Sequence, residues 1–168
     1  RQQQRLIISG AVVAIVLLVA GIALSVRSSS APVEATDRAL LDPVRGNPDA
    51  PVTLIEYGAF GCHACQQWHQ LGVVEDLLEE FDGQVRFIFR DMPIISPSYD
   101  RRAAEIAQCA LDQSNEAFWA THDVFYEQAQ QGFSSNDELI RLAENVGVNG
   151  EALRACEASD TQLNTIQF

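Results

Sequence analysis

Cys62, His63, Ala64 and Cys65 place two thiols three residues apart, with an imidazole between them. They follow an apolar, β-branched run and precede a helical pattern. At a helix start, residues i and i+3 share one face, so both sulfurs look the same way. The first thiol meets unpaired backbone N–H groups and the positive end of the helix dipole. That setting favours thiolate, the form that attacks disulfides. The expected chemistry is thiol–disulfide exchange, with Cys62 as nucleophile and Cys65, one turn deeper, as its partner. A substrate thiolate would form a mixed disulfide through Cys62, and a second substrate thiol would resolve it. That cycle requires no cofactor.

A Cys-x-x-Cys pair is also half of a metal site. Tetrahedral zinc usually takes two such pairs, and here there is one. The alternative is an envelope copper- or zinc-binding protein that uses Cys62, Cys65 and a histidine, His63 or His69. Around the thiols, Glu56 lies six residues before Cys62 on a strand that reads as buried. It is expected to relay a proton to Cys65, or else to face outward from an edge. His63, when protonated, would support the Cys62 thiolate. His69 and His122 read as ordinary helix residues. Cys109 and Cys156 stand 47 positions apart. In an oxidising compartment they would pair, a loop closure worth about 4 kcal/mol in the chain-entropy model; otherwise they are two buried thiols.

Several elements must position these groups. Residues 52–57 are β-branched and aromatic and read as a strand, with a turn over 58–61. From Cys62 to about Phe81, Trp68, Leu71, Val74, Leu77, Leu78 and Phe81 recur at steps of three and four. This predicts one helix, bent at Gly72. Residues 85–90 alternate and read as a second strand after the Asp82-Gly83 turn. The result is β-α-β, a parallel pair with a right-handed crossover. Helices are then expected over 99–113, 116–130, from the Ser135/Glu138 capping box to about 147, and over 150–158. Residues 38–51, with Gly46, Asn47, Pro48 and Pro51, read as turns.

Residues 6–26 carry no charge and no proline. As a helix they would be about 32 Å long, enough to cross a bilayer core of about 30 Å. A cleaved signal peptide is the alternative, although its apolar region is usually only about 7–15 residues. Arg1 and Arg5 on one side oppose Arg27 on the other, which puts the N-terminus in the cytoplasm. The expected organisation is a membrane anchor over 1–27, a tether over 28–43 and a domain over 44–168. A single-pass protein of the plasma membrane, with its domain on the extracytoplasmic side, follows. The chain has 168 residues, 23 Asp plus Glu against 11 basic residues, and a net charge of −12. All the basic residues are Arg. A nucleic-acid partner would need a basic face and is excluded.

Residues 47–57, Phe60-Gly61-Cys62-His63-Ala64-Cys65 with Trp68-His69, and residues 85–93 resemble the DsbA-like, thioredoxin-fold disulfide oxidoreductases of the bacterial envelope. So do 104–113 with Cys109, Phe118-Trp119 and Cys156, which are similar to that family's inserted helical domain. The resemblance implies a thioredoxin-like α/β core with an all-helical insertion at about 97–160. It also implies oxidation of protein thiols, re-oxidation by a membrane quinone-linked partner, and a Cys109–Cys156 disulfide as in some members. Two features depart from the family. Ala64 precedes the second cysteine, where His is frequent. The prolines stand at 32, 43, 48, 51, 93 and 97, so the expected cis-proline loop and the strands and helix after it are missing. The chain is therefore expected to be a fragment that lacks the C-terminal part of the core, with an uncovered 52–57 edge. A reductase or isomerase of the same fold is the other alternative.

Overall fold

Residues 85–91 hold the sheet together. The computed structural model describes residues 42–128 and 135–159, together with Gln162 and Ile166. The expected anchor over 6–26 and most of the tether lie outside the described residues. Among those described, no helix is long and apolar enough to cross a membrane. Three strands form one sheet in the order β1-β3-β2: β1 (Val44–Gly46), β2 (Val52–Gly58) and β3 (Val85–Asp91). β2 runs parallel to β3, from Val52 opposite Val85 to Gly58 opposite Asp91. β1 runs antiparallel on the other side, with Val44 opposite Ile88. The central strand is covered on both faces, for Phe87, Ile88 and Phe89 are all buried. Alternation in 85–90 therefore understates its burial.

β1 corrects the reading of 38–51 as turns alone. Three residues with one apolar side chain carry no periodic signal. Distant groups fix them instead. Asn115 accepts from the Val44 N–H and donates to its carbonyl, both at 2.8 Å, and the Trp119 indole N–H donates to the same carbonyl at 2.9 Å.

The helix expected over 62–81 is two helices, α1 (His63–Gln70) and α2 (Val73–Glu80). Gly72 between them takes φ +67°, a conformation that suits glycine and ends α1 where continuous periodicity suggested a bend. The helical module after β3 comprises α3 (Pro97–Leu111), α4 (Asn115–Gln128), α5 (Asn136–Asn145) and α6 (Gly150–Glu157). The capping box is present at α5, where the Ser135 hydroxyl accepts from Glu138 N–H and the Glu138 carboxylate accepts from Ser135 N–H. Asn149 caps α6 by accepting from Ala152 N–H at 3.0 Å. Phe60, Phe87, Phe89, Ile106, Phe118, Phe125, Leu139 and Leu153 join sheet and helices in one core. A disulfide between Cys109 of α3 and Cys156 of α6 ties two helices of the module, with Cα atoms 5.8 Å apart.

Candidate active site

Cys62 is the N-cap of α1, with extended backbone (φ −85°, ψ 110°), and is not itself a helical residue. Its sulfur accepts the N–H of Cys65 at 3.2 Å. A sulfur at that position receives one of the orphan amides of the helix start, and its charge sits at the positive end of the helix dipole. Cys62 and Cys65 are disulfide-bonded, with Cα atoms 5.3 Å apart. Cys65 packs against the core, whereas His63, the first residue of α1, is exposed. Among the described residues no hydrogen bond or ion pair joins His63 to either sulfur, so the expected imidazole support for Cys62 has no contact behind it here.

The turn before the cysteines is tied down from two sides. Asp100, buried near the start of α3, accepts the Gly61 N–H through one carboxylate oxygen at 2.7 Å. Its other oxygen accepts the N–H groups of Ile95 at 3.1 Å and Ser96 at 2.7 Å. A Cβ on Gly61 would lie 2.6 Å from that Asp100 oxygen, so only glycine lets the backbone approach so closely. From the other side, the Tyr126 hydroxyl donates to Ala59 carbonyl at 3.2 Å, and the Gln66 side chain donates to Tyr126 carbonyl at 2.9 Å. Neither Asp100 nor Gln66 had a sequence signal. A lone Asp after Ser-Pro-Ser-Tyr looks like any helix-start acid, and its work is done across 39 residues of chain.

Glu56 points inward on β2, while Ile55 and Tyr57, on the opposite face of this edge strand, are exposed. Its carboxylate is 17% exposed and lies 3.0 Å from Nε2 of His69, whose side chain is 8% exposed. His69, read from sequence as an ordinary helix residue, is therefore the direct partner of Glu56. The sheet face pairs them, and sequence spacing could not. The His69 ring is stacked on Tyr126, with centroids 4.6 Å apart and planes at 17°. It also meets the His122 ring edge-on at 4.5 Å.

His122, likewise read as ordinary, is fully buried. Its Nδ1 is 2.9 Å from an Asp123 carboxylate oxygen, and its Nε2 has no hydrogen-bond partner among the described residues. Burial is the main cause that pushes its pKa down to about 4, against the pull of Asp123. Burial disfavours the Asp123 anion, but the bond to His122 and the Arg45 charge hold its carboxyl below the ordinary range. Arg45 grips Asp123 at 2.6 and 2.8 Å and lies over the Trp119 ring at 4.2 Å. At the end of β3, Asp91 is buried and accepts from Gln108 at 2.6 Å through one oxygen, while the other has no hydrogen-bond partner among the described residues. Desolvation raises its pKa to about 7, with the Gln108 bond pulling the other way.

The described residues contain no cluster of three or more His, Cys, Asp or Glu that could hold a metal ion. The arrangement is suited to two-electron exchange at sulfur. It has a capped sulfur at a helix start, a second sulfur set into the core, and a carboxylate–imidazole pair one helical turn beyond it.

The comparisons agree with this geometry. The family described as thioredoxin matches residues 39–167. The Na(+)/H(+) antiporter NhaA 1 of Salinispora arenicola is 37% identical over 115 residues, which is 67% of this chain and 16% of that protein. The probable disulfide bond formation protein D of Bacillus cereus is 33% identical over 88 residues, 51% of this chain and 40% of that one. The chain thus spans well under two-thirds of the length of these curated relatives. The crystal structure of oxidised BdbD from Bacillus subtilis superposes with a TM-score of 0.59 at 24% identity, covering 77% of this chain and 78% of that one. The chain belongs to the thioredoxin family, and the helical module inserted after its β-α-β unit gives it the DsbA-like form of that fold.

Proposed function

We propose that this protein is a thiol–disulfide oxidoreductase that oxidises protein thiols outside the cytoplasm through Cys62 and Cys65. The observation that carries the reading is the N-cap position of Cys62, whose sulfur accepts the Cys65 amide. Such a sulfur leaves readily as thiolate, because the charge it gains is met by an amide and a helix dipole already in place. Cys65, packed against the core, is the partner that re-forms the disulfide. Glu56, inward-facing, serves the protonation of Cys65. Cys109–Cys156 is the structural disulfide of the helical module. His63 retains only an exposed, charge-level influence on Cys62. The name of the Bacillus cereus relative, a probable disulfide bond formation protein, supports this chemistry.

The finer reading rests on the sequence. Twenty-one residues without charge at 6–26, flanked by more Arg on the N-terminal side, support a single-pass plasma-membrane anchor with the domain outside. Two disulfides among the described residues suit an oxidising compartment. A membrane quinone-linked oxidase is the proposed re-oxidising partner.

Alkylation of reduced Cys62 across pH tests the central claim. A thiolate midpoint well below the ordinary value of about 8.5 is expected. Full-chain protein should also oxidise a reduced dithiol peptide, and Cys62→Ala should abolish this. A midpoint near 8.5 overturns the oxidant reading and favours a reductase or isomerase. Tight copper or zinc binding without a dithiol cycle would favour the metal-binding alternative.

A further inference from the structure

Glu56 and His69 form a shielded pair on the helix face that also carries Cys65. Residues 65 and 69 are i and i+4 on α1, so their Cβ atoms stand about 5–6 Å apart. Helical side chains lean back toward the N-terminus, which tilts the His69 ring toward the turn that carries Cys65. The ring has little freedom. Tyr126 stacks on one side, His122 meets it edge-on, and Phe87 and Phe89 lie at 6.4 and 6.5 Å.

We propose that His69 hands a proton to the Cys65 sulfur as that sulfur leaves the disulfide, with Glu56 as counter-ion and His122 as the neutral wall that fixes the ring. This rests on the oxidoreductase reading above. Two histidines 4.5 Å apart cannot readily both be charged, and the surroundings choose between them. His122 is deep, already engaged by Asp123, and faces the positive Arg45 through that carboxylate. Burial keeps it neutral. His69 is the member with a carboxylate in direct contact. The charged and titratable groups around the pair are Glu56 on β2, Arg45 on β1, Asp91 on β3, Asp100 on α3, and His122, Asp123 and Tyr126 on α4. Asp91 and Asp100 bear electrostatically on the Tyr126 phenol.

A substrate thiolate attacks Cys62 Sγ, a new S–S bond forms, and the Cys62–Cys65 bond breaks with its electron pair on Cys65. The His69 imidazolium keeps its Nε2–H on Glu56 and gives the proton of Nδ1 to the Cys65 thiolate. A second substrate thiolate attacks the substrate sulfur of the mixed disulfide, and Cys62 leaves as thiolate. Two substrate thiolates have lost two electrons and formed one disulfide. The protein has gained those electrons and moved one proton from His69 to Cys65. When the disulfide re-forms, Cys65 must attack as thiolate, and it returns the same proton to Nδ1 of His69.

The test is stopped-flow reduction of the oxidised full chain by dithiothreitol from pH 5 to 8, with each rate divided by the thiolate concentration of the reagent. For the wild type this normalised rate should fall with rising pH through one titration. His69→Gln should be flat with pH and about 10²-fold slower at the acid end, a typical contribution of general acid catalysis. A structural role alone would scale the profile and keep the titration, and that result overturns the proposal. If His69→Gln does not fold, Glu56→Gln decides the matter. Loss of the counter-ion should flatten the pH dependence at the acid end, and a profile of unchanged shape refutes it. Failure of the wild type to oxidise a dithiol peptide would instead sink the oxidoreductase reading itself.

Discussion

Asp100→Asn is the most informative single change to the scaffold. The carboxylate accepts three backbone N–H groups, one from Gly61 through the first oxygen and two from Ile95 and Ser96 through the second. An amide has one oxygen, so it satisfies one side only. The better orientation keeps the oxygen on Ile95 and Ser96 and turns the NH2 toward the Gly61 N–H, leaving two donors face to face. One charge-assisted bond is lost, worth about 1.5–3 kcal/mol, and the other two become neutral bonds of about half the strength. A destabilisation of about 3 kcal/mol follows, large for a domain of marginal stability. With a urea m-value of about 2 kcal/mol/M, the midpoint of unfolding should fall by about 1.5 M at unchanged m. Hydrogen exchange gives a local readout. The Gly61 amide, next to the Cys62 N-cap, should lose protection more than those of Ile95 and Ser96. A midpoint within 0.3 M of wild type, roughly half a kcal/mol at that m-value, would refute the argument. So would a Gly61 amide that stays protected.

Two further outcomes concern stability. Replacing both Cys109 and Cys156 with Ala opens a loop of sequence separation 47. It should cost about 4 kcal/mol in the chain-entropy model and lower Tm by on the order of 10 °C, read by calorimetry, while dithiol oxidation at Cys62 persists. The second outcome is a pair of opposed pH dependences. Folded Asp91 holds its proton to about pH 7, whereas the unfolded chain releases it near 3.8, so its contribution to stability falls as pH rises through that window. Folded His122 refuses a proton down to about pH 4, whereas the unfolded chain takes one near 6.5, so its contribution falls as pH drops through that range. Each amounts to on the order of 3–4 kcal/mol at most, and between pH 4 and 6.5 they oppose. Asp91→Asn should therefore become less stable on acidification in urea unfolding, and His122→Phe less stable as pH rises. Parallel slopes in the two variants would contradict the burial argument for both.

The β-α-β order, the four later helices and the cysteine pair at a helix start were legible in the chain, because each is written in local terms. Strand 52–57 shows in its β-branched run, the later helices in their periodicity, and α5 in its capping box. The break at Gly72 was visible as a weak point, but periodicity carried across it, and only the left-handed backbone there ends α1. Short β1 was not legible, for its three residues are held by Asn115 and Trp119, more than seventy positions away. The support of the site was hidden for the same reason. Residues 62–65 name the chemistry alone, since two thiols at i and i+3 before a helix admit few uses. What surrounds those thiols depends on which side of β2 faces the core and where α4 crosses it. Packing turned Glu56 inward, set His69 against it, placed His122 behind both and brought Asp100 under Gly61. Those are contacts across 13 to 53 residues, made by burial and hydrogen bonding that no local pattern encodes.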